Sequence, residues 1–252
     1  MAPINDNTLL RLALPKGRMQ AGVFKLLADA NITLRASERN YRPVISLPGF
    51  DVKILKPQNI VEMLGTKARD IGFAGADWVA ELGVDLIEML DTELDPVRLV
   101  AAAPTDLVQN GSLKTNSNVI VASEYERLTK NWIREQGLQA KFLKSSGATE
   151  VFPPEDADCI IDNTSTGATL RSNNLDIIDE LMTSSTRLYV HPSVLDDPDR
   201  REQVEVLVML LKSVLESRLR VMVELNVVAQ NLEAVVTALP CMREPTVSPL
   251  NG

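Results

Sequence analysis

Histidine and cysteine are nearly missing from this 252-residue chain, which holds one of the first and two of the second. With only His191 available, a Ser-His-Asp catalytic arrangement loses its support, because the nucleophile there needs an imidazole beside it; we read His191 as a surface or packing residue. Cys159 and Cys241 lie too far apart in sequence to suggest a disulfide framework or a zinc knuckle, and fit a reducing cytosol. No apolar run reaches the roughly 18–20 residues of a membrane span. The opening "MAPINDNTLLRLALPKGR" lacks a signal-peptide core and cleavage site, so a soluble, cytoplasmic protein with no membrane partner is expected. Positive charge is in deficit: the net charge of −8 argues against a nucleic-acid binder, while leaving room for a locally basic pocket. There is no G-x-G-x-x-G after the first strand and no G-x-x-x-x-G-K-[ST] anywhere, and "GFAG" at 72–75 is too short to replace them, so dinucleotide and P-loop sites lose their main support. Repeats and low-complexity stretches are absent.

What is there is ordinary in bulk, with 45% apolar and 24% charged residues, and the length suits one large domain or two lobes. Residues 9–14, "LLRLAL", read as a buried strand closed by a "PKGRM" turn. Val23, Phe24, Leu26, Leu27 and Ala30 then fall at helical spacing. "FDVKILK" alternates as a strand and runs into "PQNIVEMLGTKA", a helix with Pro57 in its first turn. "RDIGFAGADWVAEL" reads as a strand, a glycine turn and a helix with Asp77 as N-cap. "VRLVAAAP", "SNVIVAS", "AKFLKS", "DCIID" and "STRLYVHP" are further strands, and "EYERLTKNWIREQG" is an amphipathic helix with Tyr125, Leu128 and Trp132 inward. The polar stretch 105–118 reads as a loop or lobe connection, 198–220 as a long helix, and "VMVELNVV" with "NLEAVVTAL" as one more strand and helix. Strands alternating with short helices predict an α/β fold with largely parallel sheets.

Two stretches carry chemistry. In "DCIIDNTSTGATLRSNNL" a strand ends in Asp162, then Thr164, Ser165, Thr166 and Thr169 offer hydroxyls, Gly167 and Ala168 offer backbone, and a helix begins. Such a turn at a strand's carboxyl end suits a phosphate monoester, with Asp162 placed to accept hydrogen bonds from sugar hydroxyls beside it. A hydroxyl-rich turn with an ordinary N-cap has the same pattern, and the residues alone leave that open. In "LALPKGR", Lys16 and Arg18 sit on a tight turn after a strand, where they would neutralise a diphosphate or simply decorate the surface. Arg69 and Asp70 read as a structural ion pair.

Taken in order, "LRLALPKGRM", "ILKPQNIVEML", "ARDIGFAGADWVAE" and "SGATEVFPPEDADCIIDNTSTGATL" resemble the ATP phosphoribosyltransferase family, which catalyses the first step of histidine biosynthesis. The resemblance implies two α/β lobes of mixed or parallel sheet flanked by helices, like type II periplasmic binding proteins, with the active site in the cleft. Lobe one would be 1–104 plus 185–221, and lobe two 105–184. Residues 222–252 would be the start of an ACT-like regulatory domain. Loop 164–169 would hold the 5-phosphate of phosphoribosyl pyrophosphate (PRPP) and Asp162 its ribose hydroxyls. Lys16 and Arg18 would attend the anionic groups of the nucleotide substrates, with Glu150 lining the same pocket. Lys56, Asp70 and Gly75 are further candidates for substrate binding. The reaction implied is attack of adenine N1 of ATP on C1 of PRPP, with Mg²⁺ accompanying the departing pyrophosphate and no protein nucleophile. A homo-oligomer, a dimer or higher, is expected. Lys56 stands where the family usually has Arg, Asn59 where it has Asp, Asn163 where it has an aliphatic residue, and the spacing after Glu150 is altered. These departures keep a non-catalytic nucleotide-binding paralogue of the same fold as the alternative. A type I phosphoribosyltransferase is rejected, because it requires a second acid where Asn163 stands.

Overall fold

The computed structural model describes residues 9–35, 41–115, 117–220, 223–239 and 246–249; Cys241 lies outside the described residues. The chain divides into two compact units, Met1–Leu215 and Glu216–Gly252. Its elements are β1 (Leu10–Pro15), α1 (Arg18–Asp29), β2 (Leu34–Arg35), β3 (Val44–Ile45), β4 (Phe50–Leu55), α2 (Pro57–Gly65), β5 (Ile71–Gly75), α3 (Ala76–Leu82), β6 (Ile87–Pro104), β7 (Val108–Gln109), β8 (Ser112–Leu113), β9 (Ser117–Ser123), α4 (Glu126–Glu135), β10 (Gln139–Lys144), β11 (Cys159–Thr164), α5 (Ala168–Ser172), β12 (Leu175–Val190), α6 (Pro198–Arg218) and α7 (Leu232–Ala238).

Within the first unit one eight-stranded sheet runs β10-β9-β11-β6-β12-β5-β1-β4. The outer strands form two parallel sets, β4, β1 and β5 at one end and β11, β9 and β10 at the other. Between them the long strands β6 and β12 pair antiparallel along their length, and they belong to both sets: β12 meets β5 through Thr186–Val190, whereas β6 meets β11 through Arg98–Ala102.

Each set has its own core, because the inner strands are covered on both faces and read as continuous apolar runs. At the first, Leu10, Leu12, Leu14, Phe73 and Leu188 pack with Val23, Leu26 and Leu27 of α1 and Val204, Leu207 and Leu211 of α6. On the opposite face Ala13 and Ala74 meet Ile60, Val61 and Leu64 of α2. At the second, Leu99 and Ala101 pack with Val121, Tyr125, Trp132 and Ile161, while Val100 and Ala102 face Ile160, Leu170 and Leu175. Residues 99–103 therefore pack with the second half.

Two sequence expectations change here. The stretch 105–118 is not a plain loop: Val108–Gln109 and Ser112–Leu113 form a small antiparallel hairpin. Asn110 and Gly111 at its tip both have positive φ, 52° and 77°, the Asn-Gly turn that suits a strand pair's twist. The strand expected over "VMVELNVV" is not formed at 223–228, which have no regular structure; among the described residues no strand lies alongside to take up its backbone hydrogen bonds. The helix expected after it is α7.

Candidate functional site

The carboxyl ends of both parallel sets open onto one groove, the position where α/β sheets place ligands. From the first half, β1 ends at Pro15 and delivers Lys16, then Gly17 with φ 81°, then Arg18 as the first residue of α1. The Lys16 ammonium lies 5.2 Å over the Tyr41 ring. Neither Lys16 nor Arg18 has a carboxylate partner among the described residues, so both cations are free for an anionic ligand. They line a cavity of about 220 Å³ with Gln58, Gly75, Asp77, Trp78, Glu124 and Asn163, floored by Val97 and Ser184–Thr186 of the crossing strands.

From the second half, β11 brings Asp162. Burial pushes its carboxyl up to about 6; the Asn163 N–H, donating to its Oδ1 at 2.7 Å, offsets part of this, and the negative charges of Glu150 and Glu124 add to it. Glu150 stands on a 3₁₀ turn, Thr149–Val151, after β10. The loop beyond Asp162 is organised by its own hydrogen bonds. Gly167 N–H donates to Thr164 Oγ1 at 2.9 Å and Ala168 N–H to Thr166 Oγ1 at 3.3 Å. Thr164 is buried and its hydroxyl is taken as a cap, so it shapes the loop from within. Ser165 and Thr169, exposed, have no hydrogen bond from their hydroxyls among the described residues and are the ones left to meet an anion. Gly167 has φ 73°, a conformation that lets the chain turn sharply into α5 at no steric cost. Ser165 also lines a second cavity of about 400 Å³ with Arg98, Arg187 and Thr183–Ser185. The loop thus sits beside two adjoining spaces that share Val97, Ser184 and Ser185.

Beneath the groove lies a polar network absent from the sequence reading. Asp77 is not the N-cap of α3, which is Gly75. Its side chain, 5% exposed, accepts from Ser184 Oγ at 2.8 Å and from the Tyr125 hydroxyl at 2.6 Å. Gly75 is required for this, since a Cβ there would stand 2.1 Å from Asp77 Oδ1. Local capping propensity lost to partners 48 and 107 residues away.

The other candidates sort by strand end. Lys56 is exposed at the N-cap of α2 and does not line the cavity, although its neighbours Pro57 and Gln58 do. Asn59 donates to Glu62 on the same helix. Asp70 is a correction: it precedes β5, at the sheet's amino edge, and is spent on Arg11 and Arg200. Arg69 pairs with Asp51, not with Asp70. Glu124, immediately after β9, follows the same strand-end rule as Lys16 and was findable by it. Asp95 and Ser184–Thr186, in mid-strand, had no such signal. At 93–95 β6 carries two non-glycine residues with positive φ, Glu93 at 56° and Asp95 at 49°, and the register with β12 slips nearby. The strand is bent where it passes under the groove.

No helix among the described residues is long and apolar enough to cross a membrane. A doubly parallel α/β sheet with crossing strands, an organised hydroxyl loop and cations at the strand ends defines a two-lobed α/β protein of the periplasmic-binding-protein type. Comparison with known proteins makes that class specific. The chain belongs to the ATP phosphoribosyltransferase family: the family model HisG, "ATP phosphoribosyltransferase", matches residues 56–213, and the model for the HisG C-terminal domain matches 218–252. ATP phosphoribosyltransferases of Chlorobium phaeovibrioides and Pelotomaculum thermopropionicum are 33% and 34% identical to it, over 98% and 96% of this chain and 85% of each relative. The ATP phosphoribosyl transferase (HisG:HisZ) complex from Thermotoga maritima superposes with a TM-score of 0.73 at 26% identity, covering 83% of this chain and all of that one. The alkanesulfonate-binding protein SsuA from Xanthomonas axonopodis, at a TM-score of 0.51 and 12% identity over 82% of this chain and 73% of that one, shares the fold.

Proposed function

We propose that the groove transfers the phosphoribosyl group of PRPP to adenine N1 of ATP, releasing pyrophosphate, in the cytoplasm. The observation that supports this is the meeting of strand ends at one cavity: Asn163, next to Asp162 and its hydroxyl loop, and Glu124 on one side, and Lys16 and Arg18, without a carboxylate partner among the described residues, on the other. The loop hydroxyls and backbone take the 5-phosphate, and Asp162 accepts from the ribose hydroxyls. Lys16 and Arg18 attend the phosphate groups of the substrates, and Glu150 acts on them through its charge beside Asp162. Adenine N1 is a weak nucleophile, so the transition state is loose and oxocarbenium-like, with negative charge growing on the departing diphosphate. Fixed cations aimed at that charge lower the barrier, and holding both substrates in line removes the entropy cost of their encounter. No group of the chain needs to form a bond to the sugar.

The residues fit Mg²⁺ as a companion of the diphosphate. No group of three acids is gathered into a ready cage among the described residues, yet Asp162 is crowded by Glu124 and Glu150, a charge imbalance that a hydrated divalent cation relieves. When bound there, Mg²⁺ supplies Lewis-acid neutralisation of the leaving pyrophosphate. The Thermotoga maritima relative is a complex, which supports assembly of this chain with further subunits as well.

Incubating the protein with ATP, PRPP and Mg²⁺ should produce phosphoribosyl-ATP, seen as rising absorbance at the red edge of the adenine band. Binding of both substrates with no product, under conditions where a family member turns over, would instead establish the non-catalytic paralogue.

A further inference from the structure

The side-chain network under the groove connects the PRPP acid to the opposite half of the sheet through one residue. Asn163 holds Asp162 with its backbone, N–H to Oδ1 at 2.7 Å, and with its side chain donates Nδ2–H to the Tyr125 hydroxyl at 2.9 Å. Tyr125, fully buried, donates its hydroxyl to Asp77 Oδ2 at 2.6 Å, and Asp77 Oδ1 accepts from Ser184. Asp77 belongs to α3 of the first half, Tyr125 and Asn163 to the second, and Ser184 to a crossing strand.

We infer that Tyr125 is a positioning residue for the PRPP subsite, its hydroxyl being the link that fixes Asn163, and through it the Asp162 carboxylate, against α3 across the groove. The inference rests on the phosphoribosyl reading above. Three facts set this link apart from ordinary packing. A buried carboxylate satisfied by hydroxyls, with no cation paired to it among the described residues, is costly compared with apolar side chains of similar volume. What it supplies is direction, since an O–H···O⁻ bond fixes its partners within a few tenths of an ångström. The phenol keeps its proton here, because burial, then the neighbouring Asp77 charge, push its ionisation far above the usual tyrosine range, so it donates to Asp77 while its oxygen accepts from Asn163. The two halves also have an independent tie. Glu81 of α3, 7% exposed, accepts from two N–H groups in the first turn of α4, Arg127 and Leu128, at 3.0 Å each, and the Trp78 and Tyr125 rings stack at 4.6 Å. Removing the hydroxyl alone leaves both of those contacts in place.

The test is Tyr125→Phe, which keeps the ring and its stack, alongside Asn163→Ala at an exposed position, and the double variant. For each, the PRPP dissociation constant is measured by calorimetry with Mg²⁺ present, together with KM, kcat and the melting temperature. Both single variants should weaken PRPP about tenfold, with KM for ATP moving less than twofold, and the double should be no worse than the weaker single because the two act through one chain. A PRPP affinity within twofold of wild type in Asn163→Ala, or a Tyr125→Phe that melts lower but binds PRPP normally, overturns the positioning role while leaving the subsite standing. Multiplying losses in the double variant also overturn it. A wild-type protein with no PRPP affinity is a different result and removes the subsite itself.

Discussion

Asp162 sits in surroundings that work against its charge. Burial and the neighbouring Glu150 and Glu124 hold its pKa up at about 6, so the folded chain binds that proton more tightly than the unfolded chain does. The sign follows from linkage: the group's contribution to stability is fully present below the ordinary carboxylate range and is lost as pH rises through about 6. At neutral pH Asp162 therefore destabilises the empty protein, by at most about 3 kcal/mol for a shift of roughly two pH units. Asp162→Asn should melt higher than wild type at pH 7.5 and lose that advantage by pH 4, while binding PRPP at least about tenfold more weakly. Melts across that range with calorimetry at pH 7.5 check both halves. A variant melting no higher at pH 7.5 would mean that the carboxylate is not strained. PRPP affinity of the wild type should itself rise with pH through about 6, since ribose hydroxyls donate to the ionised form.

At the level of elements, the loop between β11 and α5 is held open by its own hydroxyls and by one glycine. Gly167 with φ 73° is in the left-handed region, where a β-branched side chain costs about 1–2 kcal/mol, and a Cβ would stand 2.9 Å from the Arg171 guanidinium. Gly167→Val should abolish measurable PRPP binding and lower the melting temperature by only a few degrees, because what the new side chain meets first is the flexible tip of Arg171 and not the core. A collapse of the fold would show that the turn supports the sheet and not the ligand. This loop, the "PKGR" turn and the apolar strands could be read in the sequence because their signals are local: a strand's end, a glycine, a run of hydroxyls. What could not be read depended on partners distant in the chain. Asp77 has the spacing of an N-cap, and only Tyr125 and Ser184 explain why it points inward. Asp95 and Ser184–Thr186 reach the groove because β6 and β12 cross beneath it, and length, not local pattern, makes a strand cross. Asn163, a departure by family pattern, becomes intelligible once its amide is seen on Tyr125.

For the whole molecule the sheet has two edges with separate tasks. Its carboxyl edge carries the groove, where Lys16 and Arg18 have no carboxylate partner among the described residues. Its amino edge is where charges are paired off, and Asp70 is the centre of it. Arg11 grips Asp70 through Nε at 2.9 Å and the guanidinium NH2 at 2.8 Å, with its own backbone N–H adding a third bond at 2.8 Å. Arg200, at the start of α6, adds a fourth contact at 2.8 Å. These bonds join β1, the approach to β5 and α6, which are far apart in the chain. Burial alone would raise the Asp70 pKa, but Arg11 and Arg200 outweigh it and hold the carboxyl below its usual range. The sign is opposite to that at Asp162: this stabilisation is present above the ordinary carboxylate range and disappears as pH falls through the depressed value. Asp70→Asn keeps the shape and removes the charge, leaving two guanidiniums around a neutral amide, and should cost about 3 kcal/mol. That corresponds to a melting temperature lower by roughly 6–12 °C in a chain of this size. With the groove at the other edge, KM for ATP and for PRPP should stay within twofold of wild type below the melt. A rise in either KM without loss of stability would return Asp70 to the substrate site.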